Sequence, residues 1–315
     1  MSKTLTDEDG DLGTTGDQVV TYYSYDPHGN VTWLVQRLPA SAESLTELVV
    51  CVEYEYDLVS GKVTQVAVQP GRRDQFVHRY EYDHDQRIVA VYTSRDLVIW
   101  ERDASYSYYP HGPLERLEMG TDSVQGLDYA YTINGWLKAI NYPSLHPSDD
   151  KGADGATTGA NPSYARDAWG MMLHYHADDF SKGTSQYDDG VGTWHLSNLS
   201  DLFNGNIAGW SWNSRRSNGA TDTALGSRYR YDLVNRIRTD TVSLRGATSW
   251  QAPSTNWSSF YTYDGNGNIK TLYRADASGS MIDSLAYTYT ANTNRLTHID
   301  EQPHNDGTGP ARPEC

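Results

Sequence analysis

The tightest constraint on this chain is a tetrapeptide, Tyr-x-Tyr-Asp, that recurs ahead of a turn. Its clearest copy is Tyr261-Thr262-Tyr263-Asp264-Gly265-Asn266-Gly267-Asn268-Ile269. Tyrosines two apart project from one face of a strand, Asp264 to Asn268 is a run of turn formers, and Ile269 opens the return strand. The pattern recurs at Tyr23-x-Tyr25-Asp26 with Gly29, Tyr54-x-Tyr56-Asp57 with Gly61, and Tyr80-x-Tyr82-Asp83. Further copies begin at Tyr106, Tyr129, Tyr229 (with Tyr231 and Asp232) and Tyr287. The first tyrosines step by 31, 26, 26 and 23 residues, then 100, then 32 and 26.

One such tetrapeptide is an ordinary hairpin, but eight at a near-constant period mean stacked supersecondary modules, none of which buries its apolar face alone. The expected class is all-β: repeated hairpins in a spiral, shell-like or curved open sheet. A repeat also overrides the length prior of about two domains for a chain of this size, so one elongated body is expected. Tyrosine outnumbers phenylalanine 24 to 4. That excess suits a layer in which rings stack between hairpins while each hydroxyl reaches a polar partner.

Residues 1–18 read as an unstructured acidic lead-in, 19–142 as five hairpin units, 143–225 as a loop-rich insert with short strands, 226–300 as resumed hairpins, and 301–315 as an unstructured tail. Within the insert, 148–162 is a low-complexity loop, long enough to be functional or disordered. Trp169 to His176 and Ile207 to Trp212 read as strands, and Ser200-Asp201-Leu202-Phe203 as a short helical turn.

The repeats YSYDPHGNV, YEYDLVSGKV, YEYDHDQRI, YRYDLVNRI and YTYDGNGNI closely resemble the YD repeats of the Rhs family, the group that includes the B and C shell components of Tc toxins and the teneurins. Longer stretches, among them VQGLDYAYTINGWLKAIN and LFNGNIAGWSW, resemble long Rhs-repeat proteins of Bacteroidetes over about residues 20 to 300. The resemblance implies a hairpin spiral winding into a hollow shell that encloses a C-terminal toxic polypeptide. It implies partners in the remaining shell and its toxin cargo, and a secreted or cell-surface location. An Rhs core segment with its self-cleavage aspartate has no counterpart here, so the sequence resembles an internal or truncated piece of a longer chain.

Twenty-five basic against 41 acidic residues give a net charge of −16, and no Lys/Arg cluster stands out. That balance argues against nucleic-acid binding by phosphate neutralisation. No apolar run nears the ~20 residues of a membrane span; the densest is Leu48 to Val52. The N-terminus lacks the basic and apolar regions of a signal peptide. Cys51, in an apolar strand, and Cys315, the last residue, do not read as a disulfide pair.

No cofactor is implied. His174 and His176, on one strand face with His195 or Asp178, would compose a zinc site, but nothing fixes a third ligand and they read as strand or surface histidines. Asp178/Asp179 and Asp188/Asp189 read as solvated loop carboxylates, since adjacent strand residues point opposite ways. Asp7, Asp9 and Asp11 have the spacing of a calcium loop, yet Gln18 stands where a bidentate Glu is wanted. Trp169, Trp194, Trp210 and Trp212 suit a sugar-stacking platform or, more simply, packing of the insert. The function expected is a non-enzymatic shell module; the alternative is an adhesion or glycan-binding module of the same architecture.

Overall fold

The structure is a computed structural model that describes residues 2–6, 18–39, 48–147, 149–177, 179–180, 194–196 and 198–301. Among them no helix occurs and every named strand pairs antiparallel, so the all-β hairpin-repeat reading is borne out. The chain divides into two compact units, Met1–Gly126 and Leu127–Cys315, where one body was expected.

In the first unit nine strands pair in chain order: β1 (Ser2–Thr6), β2 (Val19–Tyr25), β3 (Val31–Leu38), β4 (Leu48–Tyr56), β5 (Val63–Val68), β6 (Phe76–Tyr82), β7 (Ile88–Ser94), β8 (Glu101–Tyr108) and β9 (Leu114–Met119). The second ladder runs from β10 (Gln125–Tyr131) through β11 (Leu137–Ile140), β12 (Trp169–His174), β13 (Gly209–Ser214), β14 (Leu225–Tyr231), β15 (Ile237–Leu244), β16 (Ser254–Tyr263), β17 (Ile269–Ala275) and β18 (Met281–Tyr289) to β19 (Leu296–Glu301).

The Tyr-x-Tyr-Asp unit has a single structural meaning. At its second tyrosine the register shifts by one residue, as between Glu55 and Tyr56, Glu81 and Tyr82, Arg230 and Tyr231, and Thr262 and Tyr263. Such a bulge disrupts the ladder locally and sharpens the twist. The extra residue lies on the return strand; the residue that opens that strand stands opposite the second tyrosine, and its carbonyl accepts a hydrogen bond from the second tyrosine of the next hairpin. Tyr56 Oη donates to Val31 O at 2.9 Å, Tyr82 to Val63 O at 2.7 Å, and Tyr108 to Ile88 O at 2.7 Å. In the second unit Tyr263 donates to Ile237 O at 2.6 Å and Tyr289 to Ile269 O at 3.0 Å, while Tyr231 donates at 2.8 Å to Ile207 O, ahead of β13 and outside any hairpin bulge. Burial pushes the phenol pKa of Tyr56, Tyr82, Tyr108, Tyr231 and Tyr263 upward, so these hydroxyls stay protonated donors.

The aspartate closes the turn. Asp264 Oδ1 accepts from the backbone N–H of Asn266 and Asn268, both at 2.9 Å, and Oδ2 from Asn268 Nδ2 at 2.8 Å. Asp26 and Asp232 do the same, and Asp57 accepts from Ser60 N. In degenerate copies Thr132 substitutes through its hydroxyl. The turn needs one left-handed residue: Gly29 and Gly267 take φ of 92° and 93°, while Gln86 and Asn235 take it without a glycine's freedom. Where the fourth residue after the aspartate is arginine, it also reaches the following turn. Arg87 donates to Gly112 O and lies 4.3 Å over the Tyr108 ring, and Arg236 donates to Asp264 O and lies 4.6 Å over Tyr263.

Residues 2–6 depart from the expected unstructured lead-in. They pair with Val19–Tyr23, and Ser2 Oγ shares a 2.7 Å hydrogen bond with Tyr25 Oη. The physical reason is the edge of β2, whose backbone groups pair here with a polar strand that sequence patterning does not mark. The expected calcium-loop spacing at Asp7, Asp9 and Asp11, the tail from 302 and Cys315 lie outside the described residues.

Removing one hydroxyl tests the lock between hairpins. Tyr263→Phe is expected to lower unfolding stability by about 1 kcal/mol in urea titration, and an unchanged midpoint would show that the bond to Ile237 O contributes nothing. The turn carboxylates of Asp26, Asp83, Asp232 and Asp264 are all held below 3.8 by their turn hydrogen bonds. A depressed folded pKa stabilises fully above the unfolded value and is lost as pH falls through the folded one. Thermal stability is therefore expected to drop as the pH falls below 3.8, less steeply in Asp264→Ala than in the parent chain.

Candidate functional site

The repeat period breaks between β11 and β14, and there the fold builds a polar interior. Directly opposed residues Ala139, Met172, Ser211, Gly226 and Ser243 form a row across five strands. All are buried, and all but Met172 are small. The reason is the chain that lies on them. A Cβ on Gly170 would meet Tyr142 O at 2.5 Å, and one on Gly226 would meet Leu196 Cδ2 at 2.3 Å and Trp250 at 3.0 Å. Segments outside the repeats thus roof this face, with Phe180 and Trp194 packed on the Ala130, Ala139, Tyr142 and Met172 cluster.

Three polar constellations sit in this region. Lys138 Nζ lies 2.6 Å from Asp179 Oδ1, both side chains 2% exposed, and Asp179 Oδ2 accepts from Tyr175 N at 2.8 Å. Tyr175 in turn donates its hydroxyl to Leu137 O. The solvated-loop expectation for Asp179 is therefore overturned: it is the buried counter-ion of Lys138. Asp178, Asp188 and Asp189 lie outside the described residues.

The second constellation surrounds His174. It ends β12, is fully buried, and its Nε2 is 3.0 Å from Ser211 Oγ. The His195 ring lies edge-on at 5.0 Å. Burial first, then the charge of Lys138, holds His174 well below its usual value, so it is neutral at pH 7. His176 lies in the bend beyond the strand and stacks on Phe203 at 4.5 Å. The two histidines do not share a strand face, and among the described residues no third ligand gathers with His174 and His195. The helical turn expected at 200–203 is also absent. Asp201 instead accepts from Ala177 N, which holds that segment extended until the turn at Phe203-Asn204.

The third constellation was not foreseen. Carboxylate oxygens of Asp128, Asp150 and Asp154 lie within 4.8 Å of one another, and the residues are 2%, 2% and 1% exposed. Asp167, 3% exposed, is pushed up to about 9, first by burial and then by the charges of Asp150, Asp154 and Asp128. At this separation two ionised carboxylates repel by several kcal/mol at an effective dielectric near 20. The 148–162 loop is thus ordered over its described residues, with Asn161 Nδ2 donating to Gly152 O and Asp154 N to Asp150 Oδ2. The sequence signals were faint: Asp128 shares the buried face of β10 with Ala130, and Asp150 and Asp154 flank a glycine.

The tryptophans divide between two faces. Trp194 belongs to the roof, edge-on to Tyr142 and Trp250 with Arg245 4.1 Å over its ring. Trp210 and Trp212, opposite Leu173 and Met171, lie with Trp169 on the other, half-buried face, their rings 5.8 Å apart and 25° from parallel. Four tryptophans therefore do not form one platform.

No protein-family model and no curated protein matches this chain. Among solved structures, the crystal structure of TcdB2-TccC3 without its hypervariable C-terminal region aligns over 89% of the chain, with a TM-score of 0.56 and 14% identity. The chain has the Rhs-repeat fold. It spans 12% of that TcdB2-TccC3 chain. The crystal structure of TcdB2-TccC3-Cdc42 aligns over 90% at a TM-score of 0.40 and 12% identity, covering 16% of its chain. The Tc holotoxin pore of Photorhabdus luminescens aligns over 90% at 0.30 and 9%, covering 15% of its chain. At these identities the likeness concerns the fold alone.

A double-mutant cycle tests the buried ion pair. Lys138→Met strands Asp179 and is expected to cost about 3 kcal/mol or more, while Lys138→Met with Asp179→Asn recovers much of it; equal, additive losses in urea titration would show the two groups act independently.

Proposed function

We propose that this chain is a non-enzymatic structural segment of an Rhs/YD-repeat shell that encloses or displays a polypeptide cargo such as a toxin, acting outside the cell that makes it. The observation that carries this reading is the lock from tyrosine to bulge carbonyl. It joins five hairpins to the one before by the same bond, so the ladder extends by repeating one unit, as a wall must. The fold shared with TcdB2-TccC3, over a small part of that chain, supports membership of a larger wall. Turn tips support it further: Leu58, Val59, Ile133 and Leu233 are almost wholly exposed, which suits burial against neighbouring chain. On this reading the remaining shell and its cargo are the partners, and the repeat tyrosines, aspartates and glycines are structural rather than catalytic.

The adhesion reading retains one observation, the near-parallel Trp210–Trp212 pair on a half-buried face, an arrangement on which a pyranose face stacks.

Small-angle scattering with light-scattering mass on the purified chain separates these readings from the start. A trough-shaped or hollow monomer is expected; a compact solid particle would overturn the shell reading. A glycan array then decides the alternative, which requires a signal that Trp210→Ala with Trp212→Ala abolishes.

A further inference from the structure

The aspartates between β10 and β12 have no role in a hairpin wall. They come from separate places: Asp128 from β10, Asp150 and Asp154 from the crossover that follows β11, and Asp167 from the approach to β12. Their carboxylates converge in a site that water barely reaches. Asp150 Oδ2 accepts from Asp154 N at 3.1 Å and the Asp150 carboxylate also meets the Asp167 carboxyl through a hydrogen bond, while Oδ1 is buried with no hydrogen-bond partner. A buried carboxylate oxygen left without a donor is costly, and a cation is one of the few groups that satisfies it without supplying a proton.

We propose that Asp128, Asp150 and Asp154, with Asp167 alongside, bind a calcium ion that fastens the 141–168 crossover to β10. The donor set is all oxygen, which selects a hard cation over zinc or copper. Oxygens about 2.4 Å from a shared calcium stand at most about 4.8 Å apart, and each of the three carboxylates has an oxygen within 4.8 Å of the others. Each of the three carboxylates offers one oxygen to a shared ion, and the further oxygens of Asp128, Asp154 and Asp167 would make up the rest of the 6–8 that calcium takes. Magnesium suits the site less well, because it dehydrates reluctantly and keeps several waters, for which so buried a site has little room.

The surrounding loop is built to hold the site in place. Asn141 Oδ1 accepts from Asp128 N at 2.8 Å and its Nδ2 donates to Trp169 O at 3.0 Å, linking β10 to β12 beside the cluster. Arg215 donates to Leu145 O at 2.7 Å and to Asp167 O at 3.3 Å, so both arms of the crossover are tied to the end of β13. The bound ion would make the order of this crossover, and of the roof that begins at Tyr142, dependent on calcium.

The test uses the full chain, stripped with a chelator and dialysed into metal-free buffer. Isothermal titration with calcium chloride is expected to show one site tighter than about 1 mM, with magnesium chloride binding more weakly, and the melting temperature is expected to rise with calcium. Asp150→Asn, which keeps the shape and removes the charge, is expected to weaken calcium at least about tenfold; Asp154→Asn serves if the first variant does not fold. Absence of calcium binding to the stripped parent chain, magnesium binding as tightly as calcium, or unchanged calcium affinity in the folded aspartate variant would each overturn the proposal.

Discussion

A β-bulge takes a backbone carbonyl out of its place in the ladder, and a buried carbonyl must find a donor. Five of the hairpin bulges among the described residues meet that need in the same way, with the second tyrosine of the next repeat. The ring spans from one hairpin to its neighbour and the hydroxyl ends on the carbonyl at the neighbour's bulge, as Tyr263 does on Ile237. This one bond accounts for why the bulge, the tyrosine pair and the spacing of the repeats occur together. It also explains the preference for tyrosine over phenylalanine, since phenylalanine would fill the same volume and leave the carbonyl unpaired. Arg87 and Arg236 add a second link at the turns, gripping their own aspartate while covering the next tyrosine ring.

Where the period fails, the problem changes from joining hairpins to covering a sheet face. Tyr142 from the connection after β11, and Phe180, Trp194 and Leu196 from the connection after β12, lie on that face. Glycine and serine occupy it because backbone and Leu196 press directly upon it. Such close covering shields polar groups from bulk solvent, and several of those drawn inside have a protein partner: Lys138 has Asp179, His174 has Ser211, and Asn141 bridges β10 and β12. The chain is thus repetitive toward its ends and individual in its middle, and the buried polar clusters are concentrated in the individual part.

The sequence by itself determined the hairpins. A tyrosine pair on one strand face, an aspartate that accepts the turn's own N–H groups and a left-handed residue before the return strand are all set within about nine residues, by local dihedral and hydrogen-bond preferences. The resemblance to YD repeats followed from the same short-range pattern. What the tertiary structure alone decided is everything that depends on meetings between distant segments. Ser2–Thr6 became a strand because the edge of β2 receives it; Asp179 is a buried counter-ion because Lys138 lies 41 residues earlier in the chain. Trp194 packs in the roof while Trp210 and Trp212, on β13, face the other way, and Asp128, Asp150, Asp154 and Asp167 converged only when the connection after β11 folded back on β10. Periodicity encodes what a residue does to its neighbours in sequence, whereas burial and charge pairing depend on which other segment closes over it, and no local preference specifies that.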